Sequence, residues 1–319
     1  YRPWYRLRLP LPVQLVTGRL DLFHSPDFVL PPVAAGIPTL LTVHDLSFIH
    51  SPHTFPQVLV DYLNRVVPWS VRRASHILAD SEATRQDLLD LWQVPAAKVT
   101  VLYSGVNASF QPAEEAQVTA VRRRYRLDEA PYLLSLGTVQ PRKNYQMLIQ
   151  AFAAIAADWP HTLAIAGGKG WLYEEMMAEV ARQKLEGRVR FMGFVDDADL
   201  PALYTGADLF LFPSLYEGFG LPLLEAMACG VPVITSNASC LPEVVVDKER
   251  GIETAVLLPP HTPQPWSRAM QQLLADTPAR ERLRRLGRRQ AAQFTWQRSA
   301  QQLGALYHLL LSDNQATKS

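Results

Sequence analysis

Short apolar runs alternate with longer amphipathic segments along almost the whole chain. Apolar runs of strand length occur at 20–23, 39–43, 76–79, 99–103, 132–136, 162–166, 189–192, 209–212, 231–235 and 255–258. Segments with 3.6-residue apolar spacing fall between them, at about 57–74, 81–92, 143–158, 171–186 and 220–229. This alternation predicts an α/β protein with parallel sheets and crossover helices. Ser81 and Asp199 are the expected helix N-caps.

A chain of 319 residues exceeds the usual size of one domain, so two domains are expected. Gly105, Asn107 and Pro112 lie close together and indicate a turn between two groups of strands. We therefore expect a first domain over 1–112 and a second over 113–294. A helix and polar tail over 295–319 need not pack on the second domain and can pack back on the first.

Charge and cysteine content exclude several classes of protein. The formal net charge of +1 gives no global field that would select nucleic acid. Cys229 and Cys240 lack metal-site spacing and fit a reducing compartment, and no apolar run reaches the roughly 20 residues of a membrane span. The sequence therefore favours a cytoplasmic protein, with peripheral association at the inner face of a membrane left open. The arginine-rich stretch 280–289 is typical of a solvated helix face, the alternative being contact with anionic lipid or a phosphorylated acceptor.

The most informative segment follows the apolar run 209–212. Gly218 and Gly220 allow close approach of a ligand to the backbone, and a helix beginning near Leu221 offers its N–H groups to an anion. Glu217 and Glu225 flank the helix start and suit the hydroxyls of a sugar and of a ribose, respectively. Either glutamate taken alone is equally consistent with a surface carboxylate.

The stretch 212–230 resembles the E-x7-E signature of the retaining GT-B glycosyltransferases of family 4, and residues 231–244 and 193–208 continue the resemblance. It implies two Rossmann-like domains with parallel sheets facing a cleft, and its mannosyltransferase-like subgroup is the most similar. Members of this family have about one further βαβ unit before the first strand seen here. We therefore expect a truncated N-terminal domain: a fragment, a natural minimal form, or a domain completed by a missing N-terminal segment or a second chain.

Two further strand ends carry candidate site residues. Gly137 and Thr138 follow the run 132–136, and the adjacent cations Arg142 and Lys143 can neutralise a diphosphate, the alternative being an exposed basic pair. The resemblance implies the diphosphate role, although Thr138 stands where many members have Arg. His44 follows the run 39–43 beside Asp45. The residues alone favour a core or capping histidine, whereas the resemblance implies a contact with the donor sugar.

Two other motifs have simpler interpretations. The stretch 167–170 is glycine-rich but lacks a phosphate-loop spacing, so we expect a tight turn beside the nucleotide. The acidic stretch 196–199 indicates helix capping rather than a metal site.

The resemblance implies a metal-independent hexosyltransferase without a cofactor. Its expected substrates are a nucleotide sugar, best assigned as GDP-mannose with UDP-sugars as the alternative, and a glycan, lipid-linked or small-molecule acceptor. The implied catalytic residues are His44, Arg142, Lys143 and Glu217, and the implied donor contacts are Gly137, Thr138, Gly218, Phe219, Gly220, Leu221 and Glu225. The alternatives are a nucleotide-binding fragment or assembly module without turnover, and a phosphorylase or epimerase of the same architecture.

Overall fold

The computed structural model describes residues 11–316 and divides the chain into two compact units. Of the described residues, the first unit contains residues 11–104 together with the helix from Trp296, and the second is Gly105–Thr295. The division falls between Ser104 and Gly105, eight residues before the boundary after residue 112 that the sequence predicted. Val106 already donates its backbone N–H to the Phe294 carbonyl at 3.1 Å, which ties the connecting segment to the second unit.

The strands follow the chain in the order β1 (Phe23–Ser25), β2 (Thr39–Val43), β3 (His76–Ala79), β4 (Val99–Val101), β5 (Tyr132–Leu136), β6 (Thr162–Ala166), β7 (Val189–Gly193), β8 (Leu209–Phe212), β9 (Val233–Ser236), β10 (Val246–Asp247), β11 (Ile252–Glu253) and β12 (Val256–Leu258). The helices of the described residues are α1 (Gln14–Thr17), α2 (Ser47–His50), α3 (Gln57–Arg73), α4 (Glu82–Trp92), α5 (Glu115–Arg124), α6 (Tyr145–Ala153), α7 (Glu174–Arg182), α8 (Leu200–Thr205), α9 (Leu221–Ala228), α10 (Leu241–Val245), α11 (Pro263–Ala275), α12 (Thr277–Ala291) and α13 (Trp296–Ala316).

The first unit contains a parallel four-stranded sheet in the order β1-β2-β3-β4. Every residue of β2 is buried, as expected for a strand covered on both faces. On one face, Val67 and Val71 of α3 pack into a core with Leu41 and Ile77. On the other face, Leu306 of α13 packs against Leu40 and Leu78, so the last helix is part of this unit.

The second unit contains a parallel six-stranded sheet in the order β7-β6-β5-β8-β9-β12. Numbered within the unit, this is the 3-2-1-4-5-6 order of a Rossmann fold. The strand order reverses between β5 and β8, and ligands of such sheets bind beyond the carboxyl ends of the strands at that reversal. The fold therefore directs attention to the loops after β5 and β8.

The structure corrects several local expectations. β1 begins at Phe23 rather than residue 20, and α6 begins at Tyr145 because a 3₁₀ turn occupies Pro141–Lys143. Ser81 caps α4 as expected, accepting the Thr84 N–H at 3.1 Å. Asp199 stands at the start of α8 without a side-chain cap, because its carboxylate accepts hydrogen bonds from Arg124 at 2.6 and 2.8 Å. No helix within residues 11–316 combines the length and apolar character needed to cross a membrane.

Candidate active site

The loops that follow β5 and β8 are joined by direct hydrogen bonds. The two strands are neighbours in the sheet, with Leu133 in register with Leu209. The Leu215 N–H donates to the Arg142 carbonyl at 2.9 Å. The side-chain amide of Asn144 donates to the Pro213 carbonyl at 3.1 Å, and Asn144 itself adopts a left-handed conformation between the 3₁₀ turn and α6. At the point where the strand order reverses, the loops after β5 and β8 are therefore held together by hydrogen bonds.

Two cations converge on one carboxylate in this pair of loops. Lys143 Nζ lies 2.6 Å from Glu217 Oε1, and Arg142 Nη1 lies 2.9 Å from Glu217 Oε2. Arg142 also donates to the Tyr216 carbonyl at 2.5 Å. The Glu217 and Lys143 side chains are each 10% exposed and that of Arg142 is 13% exposed, so all three are largely removed from water. We call these three residues the Glu217 cluster.

The cluster fixes the charge of its carboxylate. Burial by itself would raise the pKa of Glu217, because it disfavours the charged form. The positive charges of Lys143 and Arg142, with the Lys143 hydrogen bond, outweigh burial and lower this pKa to about 2. Glu217 is therefore an anion throughout the physiological range and accepts hydrogen bonds without donating one.

Glycines allow the two loop backbones to approach each other and Lys143. Gly137 has φ of 147°, and a Cβ atom there would lie 2.9 Å from Lys143 Cε. A Cβ atom at Gly167 would lie 2.1 Å from the Gly137 carbonyl oxygen. A Cβ atom at Gly170 would lie 2.8 Å from Thr138 Cγ2. Val139 pairs with Lys169 in an isolated parallel bridge. The glycine-rich stretch after β6 thus supports the loop after β5.

The loop after β8 leads into α9 through Gly220. This residue has φ of 99° at the N-cap position, and a Cβ atom there would lie 2.9 Å from Leu241 Cδ2. The Phe219 ring is buried and packs on Phe294 at 5.8 Å between centroids. Its ring is therefore engaged in packing within the second unit. Gly218 and the exposed Leu221 occupy the same turn.

Glu225 lies on α9 and has a hydrogen-bond partner that the sequence did not reveal. The hydroxyl of Tyr204, a fully buried residue of α8, donates to Glu225 Oε2 at 2.8 Å. Burial raises the pKa of Glu225, and the Tyr204 hydrogen bond opposes this rise. Among the described contacts Glu225 has none with the Glu217 cluster. Tyr204 has the spacing of a core aromatic residue, so nothing in the sequence distinguished its hydroxyl.

His44 lies in the first unit, at the carboxyl end of β2. Its Nδ1 is 2.8 Å from Asp80 Oδ2 and its Nε2 is 3.0 Å from the Pro26 carbonyl. The Asp80 hydrogen bond raises the pKa of His44 to about 9, against the opposing effect of burial. The adjacent Asp45 is not its partner, because that carboxylate accepts from the backbone N–H and hydroxyl of Ser47 at the start of α2. Asp80 directly follows β3, and this position at a strand end is the sequence feature that could have identified it as the partner of His44.

Comparisons with known proteins identify the family of this chain. Residues 118–290 match the family model described as glycosyl transferases group 1, and residues 1–110 match the model described as glycosyltransferase family 4. The chain belongs to the group 1 glycosyltransferases. The expected fold class is confirmed: this glycosyltransferase is an α/β protein with two Rossmann-like parallel sheets of the GT-B type.

Similar curated proteins include mannosyltransferases. O-antigen chain mannosyltransferase B of Escherichia coli is 35% identical over 291 residues, covering 91% of this chain and 74% of the relative. The serotype-specific mannosyltransferase WbdA of Escherichia coli is 30% identical over 305 residues, covering 92% of this chain but 36% of that longer protein. This glycosyltransferase thus spans about three quarters of one relative and about a third of the other.

Similar solved structures share the fold. Sucrose-phosphate synthase from Thermosynechococcus elongatus superimposes with a TM-score of 0.76 at 26% identity, over 94% of this chain and 76% of that one. Anabaena HepE, solved in complex with UDP and glucose, gives a TM-score of 0.71 at 24% identity, over 85% and 71% of the two chains.

Proposed function

We propose that this glycosyltransferase transfers mannose from GDP-mannose to an acceptor hydroxyl with retention of the anomeric configuration. The observation that carries the proposal is the Glu217 cluster at the β5/β8 reversal point, where a Rossmann sheet binds its ligand. The choice of mannose is supported by the 35% identical O-antigen chain mannosyltransferase B. HepE, in complex with UDP and glucose, offers a uridine donor as the competing choice.

The donor diphosphate is proposed to bind Arg142 and Lys143. An ammonium has three N–H donors and a guanidinium five, so each cation can keep Glu217 and still donate to a phosphate oxygen. In a largely buried position these charges stabilise the negative charge that develops on the departing diphosphate more strongly than they would in water. The turn from Gly218 to Leu221 adds backbone N–H donors, whereas Pro222 has no N–H and the Leu223 N–H already donates to the Gly220 carbonyl. These groups take the charge-neutralising role without a metal or cofactor.

Glu217 is proposed to hold hydroxyls of the donor sugar. Both of its oxygens are engaged by cations, so it is a weak nucleophile, and its pKa of about 2 makes it unsuitable as a general acid. Retention is then best explained by attack on the face from which the diphosphate leaves. The bond from C1 to the phosphate oxygen breaks, the bond from C1 to the acceptor oxygen forms, and the acceptor proton passes to the departing phosphate oxygen.

Two further residues receive roles consistent with their hydrogen bonds. Glu225, oriented by Tyr204, is proposed to accept from the ribose hydroxyls. His44 is protonated at neutral pH, because Asp80 raises its pKa to about 9. Both of its ring N–H groups already donate, to Asp80 and to the Pro26 carbonyl, so His44 is proposed to stabilise negative charge on a substrate oxygen through its own positive charge and not to act as a general base. Gly137 and Thr138 are proposed to face the donor with their backbone.

The test is a panel of nucleotides followed by a turnover assay. GDP, UDP, ADP and their sugar conjugates are titrated by calorimetry, and the product of the tightest-binding donor is examined by NMR for its anomeric configuration. We expect selective binding of one nucleoside diphosphate and a product of retained configuration. Binding of none of the nucleotides, or an inverted product, contradicts the proposal. Binding without turnover with any acceptor supports the alternative of a nucleotide-binding module.

A further inference from the structure

A basic cavity lies in the second unit at the amino-terminal end of the strands, whereas the Glu217 cluster lies at their carboxyl end. It has a volume of about 580 Å³, and its lining includes Thr205 and Gly230. Thr205 ends α8 just before β8, and Gly230 follows α9 just before β9. These residues therefore mark the amino ends of strands whose carboxyl ends carry the candidate donor site.

One face of α12 provides the charge of this cavity. Four arginines and one glutamate of the helix line it: Arg282, Arg284, Arg285, Arg288 and Glu281. Glu281 pairs with Arg284 at 2.7 Å. Within residues 11–316 the other three arginines have no carboxylate partner, and the Arg284 Nε atom is buried without an acceptor. The cavity therefore keeps three uncompensated positive charges.

The arginine face is held in place by the opposite face of the same helix. A Cβ atom at Gly287 would lie 3.1 Å from Met227 Cγ, so α12 and α9 are in close contact there. The amide of Gln290 donates to the Val244 carbonyl at 2.9 Å, and Asp276 caps the helix start by accepting the Ala279 N–H at 2.9 Å. The arginines thus project from a well-fixed helix, a favourable arrangement for specific recognition.

The function of other arginines on α12 shows that this face is distinct. Arg280 donates to the carbonyls of Leu273 and Leu274 at 2.5 and 2.6 Å, and so satisfies the end of α11. Arg289 is exposed and does not line the cavity. If the arginines only formed a solvated face, Arg285, Arg288 and Arg289 would have equivalent surroundings. Instead, Arg285 and Arg288 line the cavity and Arg289 does not.

We propose that this cavity binds a multiply charged phosphate anion at a site separate from the donor site. Planar guanidinium groups match phosphate oxygens with paired N–H donors, and several converging arginines suit a ligand with more than one negative charge. The cavity is large enough for a diphosphate or the headgroup of a phosphorylated lipid, and both present the same chemistry. The proposal goes beyond the transfer reaction and does not depend on it.

The experiment compares the double variant R285Q/R288Q with the matched control R289Q. Inorganic pyrophosphate is titrated into the full chain by calorimetry, with and without saturating nucleoside diphosphate to occupy the donor site. Co-sedimentation with phosphatidylcholine vesicles, with and without phosphatidic acid, tests the lipid source. Equilibrium unfolding of each variant checks that the fold is kept.

We expect pyrophosphate binding that persists under saturating nucleotide, becomes about tenfold or more weaker in R285Q/R288Q, and is unchanged in R289Q. If the chain sediments with vesicles only when they contain phosphatidic acid, and the double variant does not, the ligand is a lipid headgroup. If the chain does not sediment with these vesicles but binds pyrophosphate, the ligand is a soluble phosphate. The proposal is overturned if neither probe binds, or if R289Q weakens binding as much as the double variant. Failure of nucleotide binding alone would count against the donor site and leave this test intact.

Discussion

Replacement of Glu217 by Gln tests the electrostatics of the candidate site. The pKa of Glu217 falls from 4.5 to about 2, against the opposing effect of burial, because Lys143 and Arg142 are in direct contact. A pKa lowered to this extent corresponds to a contribution on the order of 3 kcal/mol. The side chain is 10% exposed, so screening by solvent reduces this figure little. Removing one member of a buried ion pair lowers the free energy of unfolding by about 3 to 5 kcal/mol, which is a similar amount.

This stabilisation has a defined pH dependence. Because the pKa of the folded state lies below that of the unfolded state, the Glu217 carboxylate stabilises the fold above a pH of about 4.5. The contribution is lost as the pH falls from there towards 2. E217Q should therefore be less stable than the parent by about 3 kcal/mol at pH 7, with the difference narrowing below pH 4.5.

Urea unfolding of the parent and E217Q at a series of pH values measures this difference. Replacement of the exposed Glu249 by Gln removes the same charge outside the cluster and should shift stability by less than about 0.5 kcal/mol. A difference below about 1 kcal/mol at pH 7, or one that does not change between pH 7 and pH 3, would refute the assignment of Glu217 as a strongly paired anion.

Two further predictions concern the backbone and the first unit. Gly167→Ala should lower the free energy of unfolding by more than about 2 kcal/mol in urea titrations. The added Cβ meets the Gly137 carbonyl oxygen at 2.1 Å, while Gly168→Ala, with open space around it, should be nearly neutral. Equal effects of the two would contradict the loop geometry. Asp80→Asn should return the pKa of His44 from about 9 towards 6.5 in an NMR titration, and should abolish the associated stability that is present below 6.5 and lost as pH rises through 9. An unchanged pKa would exclude Asp80 as the controlling group.

The sheet framework follows closely from sequence because parallel strands are continuous apolar runs. Thr39–Val43, Tyr132–Leu136 and Leu209–Phe212 all occur at their expected positions, and each is buried along its length apart from the half-buried Leu136. The helix α11 was not expected, and α12 was anticipated only as a helix face over the arginine-rich stretch 280–289. Their apolar spacing is interrupted by polar residues, and α12 keeps its position through contacts such as that of Gly287 with Met227.

The site was less predictable where partners lie far apart in sequence. Glu217, Arg142 and Lys143 were each identified from strand-end positions, but their ion pairs join loops 74 residues apart. His44 was associated with the adjacent Asp45, whereas its partner Asp80 comes from the neighbouring strand end, 36 residues away. Side-chain pairing across strands depends on register, which local patterns do not specify.

The most direct test of the proposed donor site is calorimetric titration of the preferred nucleoside diphosphate into Lys143→Met. Lys143 is almost fully buried in the Glu217 cluster, and the substitution removes its charge while keeping most of its volume. We expect about tenfold or greater weakening of nucleotide affinity, since a hydrogen bond to a charged group is worth about 1.5 to 3 kcal/mol. Lys248→Met, at an exposed lysine outside the cluster, should bind as the parent does. Unchanged affinity in Lys143→Met, with the fold verified by its unfolding transition, would contradict the assignment of this cluster as the diphosphate site.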